Sequence, residues 1–322
     1  MSKTLVHPSD KDGCGYYRIL QPAKAIADHT SLHLVCSYQY YGPMEVADQG
    51  IDRVIVQRHT EPTMVMHLGF YKEIKVRIIH DLDDLLWQVP PTNPYVNYFK
   101  GVNRKCLKEA LTMADGLTCS TPELAEQAYK FCRKRSMVLP NLLRQKHYTL
   151  PKVRNGKRLR VGWAGSNTHM GDLRIINQLV SETLDKYDWV FMGYCDEKWK
   201  SKVEFHEFVP VEKYMEKLQS LNLDVAVIPL ESNLFNECKS HIKLLEFSAL
   251  GIPCITTDIS PYRENVNFKV PTSKRAWKDF ADALEEWTNE SKRLIAARNS
   301  FEWSKKYCLE QNIALLHSCW YQ

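Results

Sequence analysis

Residues 224–257 read DVAVIPLESNLFNECKSHIKLLEFSALGIPCITT, and this stretch decides the fold class. The segments Asp224–Leu230 (DVAVIPL) and Pro253–Thr257 (PCITT) have the continuous apolar pattern of buried strands. The middle of the segment 236–253 has the spacing of a helix. Because a strand, a helix and a second strand in this order form a parallel crossover unit, the stretch predicts an α/β fold.

The predicted helix carries an unusual order of charges. Its apolar face comprises Ile242, Leu245 and Ala249. Lys239, Lys243 and Glu246 are spaced to share another face, with both lysines nearer the N-terminus, opposite to the order that the helix dipole favours. A helix start that adds lysines to its own positive pole predicts a phosphate site, with the carboxylate placed for a hydroxyl-bearing group. An ordinary amphipathic helix with solvated charges is the alternative.

Composition narrows the class of protein. A chain of 322 residues with 44% hydrophobic and 25% charged content is expected to form two globular domains. No apolar run is long enough for a membrane span, and the first residues lack a signal-peptide pattern. Ten cysteines without metal-type spacing predict reduced thiols in a cytoplasmic protein. The net charge of +5 permits an anionic partner without demonstrating nucleic-acid binding.

Short apolar runs alternate with helical patterns along almost the whole chain. The predicted strands are Thr4–His7, Leu32–Cys36, Arg53–Gln57, Val76–His80, Gly116–Cys119, Arg160–Ala164, Trp189–Met192, Asp224–Pro229 and Cys254–Thr257. The predicted helices are Tyr16–Asp28, Tyr98–Met113, Pro122–Arg133, Asp172–Asp185, Glu212–Leu221, Ser240–Leu250 and Trp277–Trp287. This alternation predicts parallel sheets with crossover helices.

The alternation breaks once, at the basic and polar segment Leu142–Lys157. We therefore predict two Rossmann-like domains facing a central cleft, residues 1–150 and 151–303. The tail, 304–322, is predicted to be a helix that crosses back onto the first domain.

Three strand ends carry candidate site residues. The first is His7–Ile19 (HPSDKDGCGYYRI), where Gly13 and Gly15 would let backbone approach a bound group at a helix start. Because Arg18 stands where a dinucleotide fingerprint needs its third glycine, the pattern favours a looser binding loop. A flexible strand-to-helix turn is the alternative.

The second strand end is Val76–Trp87 (VRIIHDLDDLLW). His80 and Asp81 are expected at the carboxyl edge of the sheet, where ligands bind in such folds. Asp83 and Asp84 could join Asp81 as hard oxygen ligands for a divalent metal, although hydrogen bonding to a polar substrate is the favoured interpretation. Asp83 could equally cap a short helix, and His80 could be a buried, satisfied side chain.

The third strand end is Arg160–Leu173 (RVGWAGSNTHMGDL). Gly165, Ser166 and His169 belong to a small-residue loop whose hydroxyls and backbone amides could hold a diphosphate. Asp172 is interpreted as the N-cap of the next helix, without a ligand role.

Taken in order, these motifs resemble the retaining, family-4-like ("group 1") glycosyltransferases of the GT-B fold. The segments that carry the resemblance are GCGYYRILQPA, IIHDLDDLLW, ADGLTCSTPELAE followed by VLPN, WAGSNTHMGDL and KSHIKLLEFSALGIPCITTD. The resemblance extends over nearly the full chain, and the ordered set is more specific than any one motif.

The resemblance implies roles for individual residues. Glu246 matches the second glutamate of an E-x7-E motif, which binds the ribose of a nucleotide sugar. The first glutamate of that motif would fall at Cys238, so it is absent. Glu237, Lys239 and Ser240 are candidates to take over its contacts, and Lys239 and Lys243 to supply charge for the diphosphate.

The site assignment follows from both kinds of reasoning. Catalytic roles are predicted for His80, Asp81 and Lys243; donor binding for Gly13, Gly15, Gly165, Ser166, His169, Glu237, Lys239, Ser240 and Glu246; and acceptor contacts for Arg18, Asp83 and Asp84. The resemblance implies a metal-independent hexosyl or pentosyl transferase. It needs no cofactor, and its co-substrate is a nucleoside-diphosphate sugar whose base is open.

Three functions are compatible with these features. The first is transfer from a nucleotide sugar to a carbohydrate or other hydroxylated acceptor. The second is a bacteriophage-type transferase acting on a hydroxylated DNA base, which would require base flipping. Basic linker residues and exposed aromatics would suit it, namely Arg144, Lys146, Lys152, Arg154, Lys157 and Arg158, and Tyr40, Tyr41, Tyr95 and Tyr98. The third is a nucleotide-sugar-binding pseudoenzyme, suggested by the missing glutamate.

Overall fold

The computed structural model describes residues 3–152, 154 and 156–321, and it contains two parallel six-stranded sheets. The strand order is β2-β1-β3-β4-β5-β6 in the first sheet and β12-β11-β10-β7-β8-β9 in the second. Every strand pair is parallel, as strands linked by crossover helices require. The predicted α/β class with two Rossmann-like halves is confirmed.

The first half of the chain builds the first sheet. Its strands are β1 Lys3–His7, β2 His33–Cys36, β3 Ile51–Gln57, β4 Arg77–Leu82, β5 Gly116–Cys119 and β6 Met137–Val138. Its helices are α1 Gly13–Gly15, α2 Gln21–His29, α3 Pro43–Asp48, α4 Pro62–Glu73, α5 Gly101–Met113 and α6 Pro122–Cys132, with a π-helical turn at Tyr16–Leu20 between α1 and α2.

The second half repeats the arrangement. Its strands are β7 Arg160–Gly165, β8 Asp188–Gly193, β9 Glu204–His206, β10 Val225–Ile228, β11 Cys254–Thr257 and β12 Phe268–Val270. Its helices are α7 Met170–Leu173, α8 Asn177–Glu182, α9 Glu197–Lys200, α10 Val211–Ser220, α11 Leu234–Glu237, α12 Ile242–Ala249, α13 Ala276–Glu286, α14 Glu290–Lys305 and α15 Ile313–Tyr321. Single 3-10 turns lie at Leu86–Gln88, Gln145–His147, Asn167–His169, Arg174–Ile176, Ser260–Tyr262 and Leu309–Gln311.

The last helix, α15, packs on the first half of the chain. Its Leu316 and Trp320 are fully buried in a cluster with Val6 of β1. Arg53 Nη1 of β3 donates to the Trp320 carbonyl over 2.8 Å, and the Tyr321 hydroxyl donates to Thr4 Oγ1 over 3.0 Å. The C-terminal helix therefore crosses back to the first sheet, as the predicted fold class states.

The predicted linker is held against the folded halves by its arginines. Arg144 pairs with Glu310 at 2.6 Å, and Arg154 pairs with Asp224 at 2.8 Å. Arg158 Nη2 donates to two backbone carbonyls. The three arginine side chains therefore serve internal contacts. Val153 and Asn155 lie outside the described residues.

Two further features bear on the environment of the protein. Among the described residues, no helix is both long and apolar enough to cross a membrane. The ten cysteines are free thiols; Cys36 is exposed, Cys14 is half-buried and the others are buried.

Candidate functional site

Lys243 lies against the loop that follows β7, where the sequence predicts diphosphate binding. Its ammonium donates to the Ala164 carbonyl over 2.6 Å and stands 4.8 Å from the centroid of the Trp163 ring. Gly165 is the next residue, and a Cβ built there would collide with the ammonium and the Trp163 ring. The absence of a side chain at Gly165 therefore makes room for Lys243 beside the loop.

Glu246 lies one helical turn after Lys243 and is only 5% exposed. Burial raises the pKa of its carboxyl, while the neighbouring Tyr17 hydroxyl, the Lys243 charge and the Tyr214 hydroxyl oppose this shift. Burial also lowers the pKa of Lys243, with the Glu246 charge opposing it. Each of the two charges therefore affects the pKa of the other. Tyr17 and Tyr214 lie beside them, and neither tyrosine was predicted to belong to the site.

The loop after β7 is rigidified by its own side chains. The Ser166 and Thr168 hydroxyls are 2.7 Å apart, and His169 Nδ1 is 2.7 Å from Asp172 Oδ2. Burial, followed by the nearby Lys243 charge, lowers the pKa of His169 to about 4, so its imidazole is neutral at physiological pH.

Asp172 has a different position from the one predicted. It lies inside α7, with His169 at the N-cap, so its interpretation as an N-cap is wrong. Its Oδ1 accepts hydrogen bonds from the Glu231 amide at 2.8 Å and from Asn236 Nδ2 at 3.0 Å. The buried carboxylate therefore links the diphosphate loop to the segment that follows β10.

Lys239 does not share a helical face with Lys243, because α12 begins only at Ile242. It lies in the preceding loop, where its ammonium is 4.5 Å from the Phe235 ring centroid and 3.4 Å from Asp84 Oδ1 of the first half. The prediction that Lys239 shares a helical face with Lys243 is therefore wrong. Its ammonium instead forms an ion pair between the two halves of the chain.

Glu237, Cys238 and Ser240, the neighbours of Lys239 in the chain, contact three different parts of the molecule. Glu237 Oε2 accepts from the Ser260 amide over 2.9 Å and so caps the turn after β11. Cys238 is fully buried, and its carbonyl accepts from Thr121 Oγ1 over 2.8 Å. The Ser240 hydroxyl accepts from Asn141 Nδ2 over 2.7 Å. Glu237 Oε1 and the Ser240 hydroxyl proton are not used in these two contacts.

Asp81 and Arg18 form a buried bidentate ion pair. Arg18 Nε and Nη2 donate to the two carboxylate oxygens over 2.9 and 2.7 Å, and both side chains are at most 2% exposed. Thr118 Oγ1 also donates to Asp81, and Arg18 Nη1 donates to the Leu139 carbonyl and to Asn141 Oδ1. The pair is enclosed by protein, which contradicts direct contact of Asp81 or Arg18 with substrate and gives both a structural role.

Asp83 and Asp84 are joined by Arg58, a residue that the sequence analysis missed. Arg58 Nε and Nη2 contact Asp83 over 2.6 and 2.5 Å, and Nη2 reaches Asp84 over 3.0 Å. Asp83 therefore does not cap the turn at Leu86–Gln88, whose N-cap is Leu85. Within the described residues, no group of three or more His, Cys, Asp or Glu side chains is arranged to hold a metal ion.

His80 is fully buried in β4, and burial lowers the pKa of its imidazole to about 3. Its Nε2 accepts from the His59 amide over 3.3 Å, while Nδ1 has no hydrogen-bond partner among the described residues. The rings of His59 and His80 have centroids 5.8 Å apart. His80 is thus a neutral side chain at the predicted sheet edge, below the surface of the cleft.

The glycines of the N-terminal loop differ from each other. The Gly15 amide donates to Asp10 Oδ1 over 2.9 Å, and a Cβ at Gly15 would overlap the Asp10 carbonyl. Gly13 has open space where a Cβ would lie. Gly15 therefore serves the internal packing of the loop, whereas the space beside Gly13 would accommodate a side chain.

Solved structures share this architecture over the full chain. HepE from Anabaena in complex with UDP-glucose superposes with a TM-score of 0.68 and 11% identity, covering 99% of this chain and 100% of HepE. A glycosyltransferase from Rickettsia africae gives a TM-score of 0.68 with 8% identity over 100% of this chain and 99% of its own. The chain has the GT-B fold.

Sequence comparison is consistent with this GT-B assignment. TuaH of Bacillus subtilis strain 168, which carries the name of a teichuronic acid biosynthesis glycosyltransferase, is 23% identical over 211 residues. The match includes 57% of this GT-B chain and 51% of TuaH, so the chain spans about half the length of that relative. No protein-family model matches the chain.

Proposed function

We propose that the protein is a retaining glycosyltransferase that moves a hexosyl or pentosyl group from a nucleoside-diphosphate sugar to a hydroxyl acceptor without a metal ion. The observation that carries this proposal is the position of Lys243 beside Gly165, with the buried Glu246 one helical turn away. The ammonium would face the diphosphate, and the carboxylate would accept hydrogen bonds from the ribose hydroxyls.

The chemistry would rest on stabilising the leaving group. The bond between the anomeric carbon and the phosphate oxygen breaks, and the negative charge that grows on the diphosphate faces Lys243 and the amides of the 165–169 loop. The acceptor oxygen then bonds to the anomeric carbon from the same face, and its proton passes to the departing phosphate. The protein supplies charge and orientation, with no covalent intermediate on a side chain.

The comparisons support a proposal for the donor and acceptor classes. The UDP-glucose complex of HepE supports UDP as the nucleotide and a hexose as the sugar. The name of TuaH supports a carbohydrate acceptor. The free thiols support the cytoplasmic location where nucleotide sugars would meet the enzyme.

A panel of UDP, GDP, ADP and CMP sugars tests the proposal. We expect thermal stabilisation of the protein by one nucleotide class and release of the matching diphosphate when acceptor is added, at an unchanged rate in EDTA. Binding without hydrolysis or transfer from any donor would identify a pseudoenzyme instead. Loss of activity in EDTA that Mg²⁺ restores would contradict metal independence.

Retention has its own measurement. Proton NMR of the product formed from an α-linked UDP-sugar should show the α anomer as the first product. A β-linked first product would establish inversion and would require a protein group that takes the acceptor proton.

A further inference from the structure

A cavity of about 480 Å³ lies between the two halves of the chain. The first half contributes Pro90 and Thr92. The second half contributes residues at or after the ends of β10, β11 and β12, including Glu231, Thr257 and Thr272. Its volume lies within the range of about 300–1,000 Å³ that is typical of small-molecule sites. We call it the Glu231 cavity.

The Glu231 cavity continues towards the diphosphate loop. A narrower space shares Pro90, Thr92 and Glu231 with it and is lined by Thr168 of the loop and by Lys239. The Glu231 cavity therefore adjoins the diphosphate loop at Thr168.

Glu231 is the only carboxylate that lines the larger space in the described part of the chain. Its side chain stands over Gly171, where a Cβ would contact both carboxylate oxygens. The described residues form no hydrogen bond to this half-buried carboxylate, although an ionised carboxylate has about four acceptor sites. Burial and the neighbouring Asp172 charge raise its pKa. A ligand with several hydroxyl donors would satisfy these acceptors.

The remaining lining fits a sugar ring. Hydroxyl groups come from Thr92, Ser232 and Ser273, and apolar surface comes from Ile175 and Ala276. A pyranose presents hydroxyls at its edge and C–H bonds on its faces, so both types of lining would be used. The same buried aspartate, Asp172, accepts from the Glu231 amide and contacts His169 of the diphosphate loop, which positions the Glu231 backbone relative to that loop.

We propose that the Glu231 cavity holds the sugar of the donor and that Glu231 accepts hydrogen bonds from its hydroxyls. Glu231 thereby becomes the residue that selects the donor sugar. Cys238 cannot do this, because its side chain is buried in the apolar cluster of the first half together with Phe235. The inference rests on the proposed function, since it takes the diphosphate position from Lys243.

Calorimetric titration of UDP, UDP-glucose and UDP-N-acetylglucosamine separates the sugar contact from the nucleotide contact. We expect at least one UDP-sugar to bind wild-type protein more tightly than UDP does. Glu231→Gln, which keeps the shape and removes the charge, should reduce that preference about ten-fold while leaving the Kd of UDP unchanged. Thr272→Trp should also reduce the preference for the UDP-sugar and leave the Kd of UDP unchanged, because the indole would fill the cavity from its exposed rim.

Failure of the role of Glu231 and failure of the proposed function would give different results. Glu216→Gln, an exposed carboxylate on α10, is the matched control and should bind every ligand as wild type does. Full preference for the UDP-sugar in both Glu231→Gln and Thr272→Trp would overturn the role of the cavity, as would equal binding of UDP and all UDP-sugars by wild type. Absence of UDP binding would overturn the UDP-dependent function as well.

Discussion

Glu246 is an acid held in a confined space with Lys243, Tyr17 and Tyr214. Because burial is the largest influence, its carboxyl binds a proton at higher pH than an exposed glutamate does. Ribose hydroxyls that donate to the carboxylate favour its ionised form and would lower this pKa on binding. Nucleotide binding and the protonation of Glu246 are therefore linked.

The linkage predicts a pH dependence of affinity. UDP should bind more weakly as the pH falls through the raised pKa of Glu246, because the carboxyl must lose its proton to accept the ribose. Affinity should also fall at alkaline pH, because burial lowers the pKa of Lys243 and the neutral amine attracts diphosphate less. Calorimetry across pH should show both limbs. Glu246→Gln should remove the part of the acid limb that exceeds phosphate titration, and it should move the alkaline limb to lower pH because the Glu246 charge no longer raises the pKa of Lys243.

Arg18 provides a second test at the scale of single residues. Breaking a buried ion pair leaves an uncompensated charge, which costs about 3–5 kcal/mol. Arg18→Met should therefore lower the free energy of unfolding by about that amount in urea denaturation. The double variant Arg18→Met/Asp81→Leu should lose less, because no charge remains buried. A loss below about 1 kcal/mol in the single variant would contradict the structural role of the pair.

The strand β7, its following loop and helix α12 form the element that positions the candidate donor site. Gly165 lies at the end of this strand, against the Lys243 ammonium and the buried Trp163 ring. The flexible lysine can move away from an added methyl group, whereas the buried indole resists displacement.

Gly165→Ala should consequently displace Lys243 and weaken UDP binding about ten-fold. Gly69→Ala is the matched control, because Gly69 lies within α4 with open space at its Cβ position. That control should keep wild-type affinity and gain about 0.5–1 kcal/mol in stability from helix propensity. Equal UDP affinity in Gly165→Ala and wild type would contradict the proposed contact between Lys243 and the diphosphate.

The central elements were predictable from local pattern, and the edge elements were not. β5 and β11 match their predicted bounds because they are short and almost entirely buried. β9 and β12 were missed because they are three-residue edge strands that include the charged residues Glu204 and Lys269. Helix α4 was missed because apolar residues surround it instead of forming one stripe.

The candidate site divides in the same way. Lys243, Gly165 and Glu246 were identified because each belongs to a strand–loop–helix pattern that is local in sequence. Arg58 and Tyr17 were missed because their partners lie far along the chain, and no local periodicity reports such contacts. Asp81 was assigned to the wrong role because a buried ion pair and an exposed catalytic carboxylate have the same sequence pattern.

At the scale of the whole molecule, three consecutive residues before α12 connect the two halves. Cys238 bonds to Thr121, Lys239 pairs with Asp84, and Ser240 bonds to Asn141. Asn141 also accepts from Arg18, so it joins the buried ion pair to the segment leading into the donor helix. The position of α12 therefore depends on the first half of the chain.

Asn141→Ala should loosen this connection without removing a helix cap, whereas Thr121 also caps α6 and is unsuitable for the test. We expect a larger radius of gyration in solution scattering and weaker UDP binding, since the start of α12 loses its anchor. Asn97→Ala, at an exposed position, is the control. Unchanged scattering and affinity in Asn141→Ala would show that the two halves keep their arrangement without this contact.

The central claim is that α12 binds the nucleotide through Glu246, and the Kd of UDP for Glu246→Ala tests it most directly. Calorimetry at neutral pH should show binding about ten-fold weaker than that of wild type, because the ribose loses a charged acceptor. Glu216→Ala on α10 should bind UDP as wild type does. An unchanged Kd in a folded Glu246→Ala protein would contradict the account.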